Sequence, residues 1–322
     1  MNKKIRLGVM GCAAIAERSM IPAIQSLNED FDLIAVASRT PEKAEALAIK
    51  FNCEAIIGYE NLLNRPDIDA LYLPLPSGLL HEWIPKCLDA GKHVYAEKSI
   101  ALESNKAMEM AQLAKSRKLA LMEGFMFQYH SQHGQVKELL SVGEIGDIRF
   151  FSASFGFPPL GEGNFRYDDK LGGGALFDAG AYPVRATFFM LGDQMEVAGA
   201  SIKRINSSNA ALYGSAYFHG PDGVGASISF GFDNFYKCSY SLWGSTGKIT
   251  VERAFTPGPN MKPRITVEKD QNSYVIEAKT DNHFEKALIE FKLAILNDAI
   301  KEKHFTEITQ QSIALSRINE LG

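Results

Sequence analysis

The sequence predicts an α/β protein in which an N-terminal doubly wound parallel sheet is followed by an α+β region with a large open, mostly antiparallel sheet. Three observations carry that expectation. Short apolar, β-branched runs alternate with helix-period segments up to about residue 124, the pattern of successive right-handed βαβ units. After residue 125 strand-like runs follow one another, separated by turn signals such as Pro221-Asp222-Gly223 and Ser245-Thr246-Gly247, the pattern of hairpins. At 322 residues the chain is long enough for two cores, so we expect domains at 1–124 and 125–322.

In order, Ile5–Met10 reads as a first strand, a small-residue turn at Gly11–Ala14 leads into a helix from about Ala16 to Leu27, and Phe31–Ser38 is the second strand. Pro41–Phe51 is a helix whose wet side carries Glu42, Lys43 and Glu45. Ala55–Ile57, Ala70–Pro74, His93–Ala96 and Ala120–Glu123 complete the parallel sheet, with helices at Tyr59–Asn64, Leu80–Ala90 and Ser104–Arg117 between them. A helix at His133–Val142 opens the second region. Its strands are expected at Ile148–Phe157, Glu196–Ile205, Ala210–Phe218, Val224–Phe232, Cys238–Gly244, Lys248–Arg253, Arg264–Lys269 and Ser273–Ala278. A helix over Gly172–Leu191 interrupts that series. Two more close the chain, the first presenting Phe284, Leu288, Phe291 and Ile295 at helical spacing to a core.

Composition narrows the function. With 46% hydrophobic and 22% charged residues and a net charge of -4, this is a globular chain with no basic tract for nucleic acid or a membrane surface. Cys12, Cys53, Cys87 and Cys238 form no C-x-x-C pair, which fits free thiols in the cytoplasm. Asn2-Lys3-Lys4 before an apolar run faintly mimics a signal peptide, but Arg6 interrupts a run that is already too short.

Ligands of open parallel sheets bind at the carboxyl ends of the strands. The first such end reads Gly11-Cys12-Ala13-Ala14-Ile15-Ala16, a dinucleotide loop with alanine at the second and third glycine positions; a plain tight turn is the alternative. The second strand ends Ser38-Arg39-Thr40, with Lys43 one helical turn on. An acid there would bind ribose hydroxyls. Arg39 and Ser38 instead suit a 2′-phosphate, which favours NADP(H) over NAD(H), unless Arg39 is only a surface charge. Leu73-Pro74-Leu75-Pro76 ends the fourth strand, with His81 shortly after, and forms a rigid wall suited to a cofactor.

The segment Gly172-Gly173-Gly174-Ala175-Leu176-Phe177-Asp178-Ala179-Gly180-Ala181-Tyr182 puts a carboxylate and a phenol on one helix face, about a turn apart. Strand five runs into Glu97-Lys98-Ser99. Together these segments resemble the glucose–fructose oxidoreductase / inositol dehydrogenase family along essentially the whole chain. The resemblance implies a Rossmann domain joined to an open antiparallel sheet that often makes oligomer contacts, with Lys98 near the nicotinamide and substrate. Ser99 stands where the family's motif has proline, which leaves open whether the Lys98–Ser99 bond is cis. Tyr182 stands where many members have histidine, as in the sugar ketoreductase, dihydrodiol dehydrogenase and aldose dehydrogenase branches. The segments 11–16, Phe125–His133 and Phe165-Arg166-Tyr167 followed by Leu171–Gly174 resemble C-3 ketoreductases of dTDP-linked keto-deoxysugars.

These residues suit ketone reduction, which needs a hydride and a proton for the nascent alkoxide. Tyr182 would donate the proton, with an ammonium such as Lys98 making a phenol a better acid. Asp178 would bind a sugar hydroxyl or hold Lys98. Arg166 and Tyr167 are candidates for a diphosphate or sugar, Arg204 for the mouth of the site, and Gln128 and His130 for the cleft floor. Arg185 is expected to pair with Asp178. His130 and His133 are spaced for a metal, but no further ligand completes a set, so none is expected. A homodimer or homotetramer through the C-terminal sheet is expected. The competing readings are an NADP-dependent aldose 1-dehydrogenase or dihydrodiol dehydrogenase, and a non-catalytic nucleotide-sensing regulator.

Overall fold

The computed structural model describes residues 4–322; Asn2 and Lys3 of the basic N-terminal stretch lie outside them. The first sheet is built from β1 (Ile5–Met10), β2 (Phe31–Ser38), β3 (Glu54–Ile57), β4 (Ala70–Leu73), β5 (His93–Ala96) and β6 (Leu121–Glu123). Helices α1 (Ile21–Ser26), α2 (Pro41–Phe51), α3 (Tyr59–Leu63), α4 (Ser77–Asp89) and α5 (Ser104–Arg117) connect them. The order β3-β2-β1-β4-β5-β6 is parallel throughout and reverses direction between β1 and β4. Leu7, Val9, Leu71, Tyr72 and Val94 are fully buried, as strands covered on both faces require. Most limits fall at or next to the expected residue, and two differences are larger. α4 starts at Ser77, because Pro76 suits the position before a helix, and a π turn over Ala16–Met20 precedes α1.

The second sheet follows α6 (Ser131–Ser141) and contains β7 (Ile148–Gly156), then, after α7 (Ala181–Leu191), β8 (Glu196–Arg204), β9 (Ala211–His219), β10 (Gly225–Gly231), β11 (Lys237–Gly244), β12 (Gly247–Glu252), β13 (Arg264–Lys269) and β14 (Asn272–Glu277). Its order is β14-β13-β12-β11-β7-β10-β9-β8. Every pairing is antiparallel except β7 with β10. One face alternates inward with Phe151, Ala153, Phe155, Ile228, Phe230, Tyr240 and Leu242, all buried. The other carries small hydroxyls in register, where Ser239 pairs with Ser154, Ser154 with Ser229 and Ser229 with Ser215.

The chain closes with α8 (His283–Leu296) and α9 (Asp298–Leu321). The two compact units are Met1–Gly124 with Phe284–Ser312, and Phe125–His283 with Ile313–Gly322. A single cut at 124/125 is therefore amended: residues 284–312 return to the first unit. Packing explains this. Phe291 meets Tyr95 edge-on at 5.6 Å, Lys292 pairs with Asp30, and Phe305 and Ile308 join the first unit's core. No helix of the described residues is long and apolar enough to cross a membrane.

Burial in the second unit has a pH consequence. It pushes the imidazoles of His133 and His283 down to about 3. His133 is bonded to the Tyr240 hydroxyl at 2.9 Å and the Ala254 carbonyl at 3.0 Å. In the unfolded chain histidine titrates near 6.5, so below that pH the unfolded state binds more protons and stability falls as pH falls. The unfolding free energy from urea titrations is expected to drop steadily between pH 7 and 5, by up to about 1.4 kcal/mol per pH unit for each such histidine once well below pH 6.5. A flat profile over that range would contradict this.

Candidate active site

At the carboxyl end of β1 the backbone turns at Gly11 with φ +120, and the Gly11 N–H donates to the Ala37 carbonyl at 2.9 Å. A Cβ there would lie 3.0 Å from Leu75 and 3.6 Å from the Pro74 carbonyl, so the loop and the β4 end need this glycine to pack. Ala13, Ala14 and Ile15 follow into the π turn. The Cys12 thiol is half-buried, and burial raises its pKa. Ser38 accepts the Thr40 N–H at 3.0 Å, which forms the turn that leaves Arg39, Thr40 and Lys43 exposed. His81 is exposed on the first turns of α4, while Leu73, Pro74 and Leu75 are buried. The residues fit a dinucleotide: a tight glycine turn follows β1, and β2 ends in Ser38-Arg39-Thr40 with no acid to repel a 2′-phosphate.

Glu97 follows β5, accepts the Tyr72 hydroxyl at 2.7 Å, and anchors the start of Glu97-Lys98-Ser99. The Lys98–Ser99 peptide bond is cis. Lys98 is half-buried and belongs to the first unit, whereas Tyr182 and Asp178 belong to the second.

In the second unit the glycine run does not itself open a regular helix. Gly173 and Gly174 have φ +72 and +74, and Leu176–Gly180 winds as a π turn before α7. Gly172 admits the neighbouring loop, since a Cβ there would lie 2.6 Å from the Arg166 Cα and the Phe165 carbonyl. That close approach lets Arg166 Nε reach Asp178 Oδ2 at 2.9 Å. Asn164 caps the short turn Phe165–Tyr167 by accepting the Arg166 N–H at 3.1 Å. Tyr182 is 7% exposed and stands among Phe125, Phe127, Phe155 and Phe255 with ring centroids 5.2–6.0 Å away. Its hydroxyl approaches Met126 Sδ at 4.0 Å.

Other expected site residues have partners within the second unit. His130, 1% exposed, caps α6 by accepting the Gln132 N–H at 3.2 Å and packs on His283 at 5.8 Å. Its ring is enclosed, and its Nδ1 serves as the α6 cap. Gln128 Oε1 accepts Arg185 Nε at 3.0 Å, and the Gln128 amide nitrogen donates to the Phe125 carbonyl at 3.3 Å. Arg204 binds the Asn319 carbonyl at 2.7 Å and side chain at 3.1 Å, so it holds the end of α9. The Tyr167 hydroxyl accepts the Leu160 N–H at 2.7 Å. Its ring lines a groove of about 540 Å³ with Leu160, Lys203, Leu212, Phe232 and Asp233. Among the described residues no cluster of three metal-ligating side chains occurs. Sequence reasoning missed the aromatic enclosure of Tyr182, the Tyr72–Glu97 bond and Glu123, a lone acid ending the apolar run Leu121-Met122.

Two family models match, that of an oxidoreductase family with an NAD-binding Rossmann fold over residues 5–125 and that of a GFO/IDH/MocA C-terminal domain over 133–250. The chain belongs to the GFO/IDH/MocA oxidoreductase family. Within this family it is similar to the dTDP-3,4-didehydro-2,6-dideoxy-alpha-D-glucose 3-reductase of Saccharopolyspora spinosa, at 43% identity over 90% of this chain and 87% of the relative. It is 37% identical to the enzyme of the same name from Streptomyces antibioticus over 98% and 97%. Among solved structures it is similar to KijD10, a 3-ketoreductase from Actinomadura kijaniata solved with NADP and TDP-benzene, with a TM-score of 0.95 and 36% identity over 99% of this chain and 98% of that one. The sheet order of both units accords with GFO/IDH/MocA membership.

Proposed function

We propose that this chain reduces the C-3 keto group of a dTDP-linked keto-deoxysugar with NADPH. The observation that carries this reading is the likeness to dTDP-sugar 3-reductases along 90% and 98% of the chain. The cofactor when bound supplies the hydride. Gly11 makes the turn, and the backbone N–H groups of Cys12, Ala13, Ala14 and Ile15 receive its pyrophosphate. Ser38, Arg39, Thr40 and Lys43 receive the 2′-phosphate, and Leu73, Pro74, Leu75, His81 and Glu97 border the rest.

Tyr182 gives the proton to the nascent alkoxide, and Lys98 assists by favouring the phenolate that this leaves. The phenyl enclosure keeps bulk water from competing for that proton. Asp178 accepts from a sugar hydroxyl while Arg166 holds its carboxylate in place. Arg166 spends only its Nε on Asp178, so the other N–H groups of the guanidinium are suited to the substrate diphosphate. Tyr167 and its groove give the nucleoside end an aromatic wall. The hydroxyl-lined face of the second sheet, with Tyr213, Tyr217 and Trp243 exposed beside it, serves as the contact for a second copy; a solution mass of one chain by light scattering would remove that role. The enzyme works in the cytoplasm, in keeping with four free cysteines.

NADPH oxidation on adding a dTDP-linked 3-keto-deoxysugar tests the reading. Turnover is expected with this substrate, and none of NADP⁺ with a free aldose. Reduction of NADP⁺ by xylose or glucose, without turnover of the nucleotide sugar, would favour the aldose 1-dehydrogenase reading instead.

A further inference from the structure

Lys98 stands in a short loop held at both ends. Behind it, the Glu97 N–H donates to the Leu73 carbonyl at 3.1 Å and the Glu97 carboxyl accepts the Tyr72 hydroxyl at 2.7 Å. Ahead of it, the Ile100 N–H donates to Glu123 Oε1 at 2.8 Å. Glu123 is 8% exposed and Ser99, Ile100 and Ala101 are 1%, 1% and 3% exposed. The next residue fits the same arrangement. The Gly124 N–H donates to the Ala96 carbonyl at 2.8 Å, and a Cβ at 124 would lie 3.1 Å from that oxygen and 3.5 Å from Glu97 Cα.

Burying a carboxyl group is costly unless it is hydrogen-bonded. Leu121 and Met122, its neighbours on β6, show that an apolar side chain suits this strand. An acid at its end needs a reason, and the loop supplies one. Ile100 has left β5 and cannot give its N–H to a sheet partner, so an acceptor must reach it from a side chain. Glu123, at the carboxyl end of the adjacent strand, has the length to do so.

We infer that Glu123 is a positioning residue for Lys98: its carboxyl oxygen fixes the turn 98–100 and thereby where the Lys98 ammonium is presented. The inference rests on the proposed role of Lys98 in ketone reduction. It needs the reach and acceptor of the side chain, not its charge.

Two substitutions separate these properties. Glu123→Gln keeps an acceptor oxygen at the same distance and removes the charge. Glu123→Asp keeps the charge and withdraws the oxygen by one methylene. With NADPH and a dTDP-linked 3-keto-deoxysugar, Glu123→Asp is expected to lose about ten-fold or more in kcat, because a misplacement near 1 Å costs up to about 10²-fold. Its KM and its NADPH affinity by fluorescence titration stay near those of the parent. Glu123→Gln is expected to stay within about three-fold of the parent in kcat.

Three outcomes overturn the inference: the opposite ranking, equal rates for both variants, or loss of NADPH affinity and folding together with kcat, which marks a general scaffold role. Lys98→Ala measured alongside keeps the two readings apart. Full activity in Lys98→Ala removes the proposed function of Lys98 itself. A slow Lys98→Ala with a fully active Glu123→Asp removes only the positioning role.

Discussion

Tyr182→Phe is expected to lower kcat by about 10²–10⁴-fold, the range of general acid catalysis, while leaving NADPH binding in place. The substitution removes one oxygen and keeps the ring. The four phenyl contacts at 5.2–6.0 Å therefore survive. Stability should change by no more than about 1.5 kcal/mol. Steady-state rates together with a urea titration check this. A rate near that of the parent would show that the proton comes from elsewhere, and collapse of the fold would show that the hydroxyl's chief role is structural.

Gly174→Ala is expected to have the largest effect on folding. Two penalties coincide at this position: φ is +74, and a Cβ would lie 2.4 Å from the Ala211 nitrogen and 2.6 Å from its oxygen. Both obstacles are backbone, so no side-chain rotation relieves them. The isolated bridge between Gly174 and Ala211 would have to open, displacing the segment that carries Asp178. The expected cost is about 3 kcal/mol or more. Gly223→Ala is the matched control, because Gly223 has φ +77 and nothing within 4 Å of its Cβ position. It should cost about 1–2 kcal/mol, the left-handed backbone penalty alone. Equal urea midpoints for the two variants would refute the steric argument.

Much of the fold was legible because strand and helix periods differ. β2, α2, β5 and α5 fall at the limits expected from apolar runs and their flanking turn residues. The glycine run was legible as a special segment, but its cause lay out of reach. Gly172 and Gly174 are needed by Arg166 and Ala211, which no local pattern brings to them. Nor does the sequence period separate a π turn from an α turn over 176–180. The amphipathic stripe of α8 announces that Phe291 packs on a core, yet a stripe does not say which one, and so its return to the first unit went unseen. His130 shows a related limit: a polar residue between apolar neighbours looks the same whether it faces a ligand or caps a helix. Asp178 was found, but its bond to Arg166, twelve residues upstream across a loop, was not legible.

The proposed reaction delivers hydride to C-3 of a dTDP-linked sugar. Reduction with NADPH deuterated at the transferable C4 position, followed by NMR of the product, tests this. Deuterium is expected on C-3 of the sugar, with label transfer slowed by Tyr182→Phe. Deuterium at another carbon, or a product without label, would contradict it.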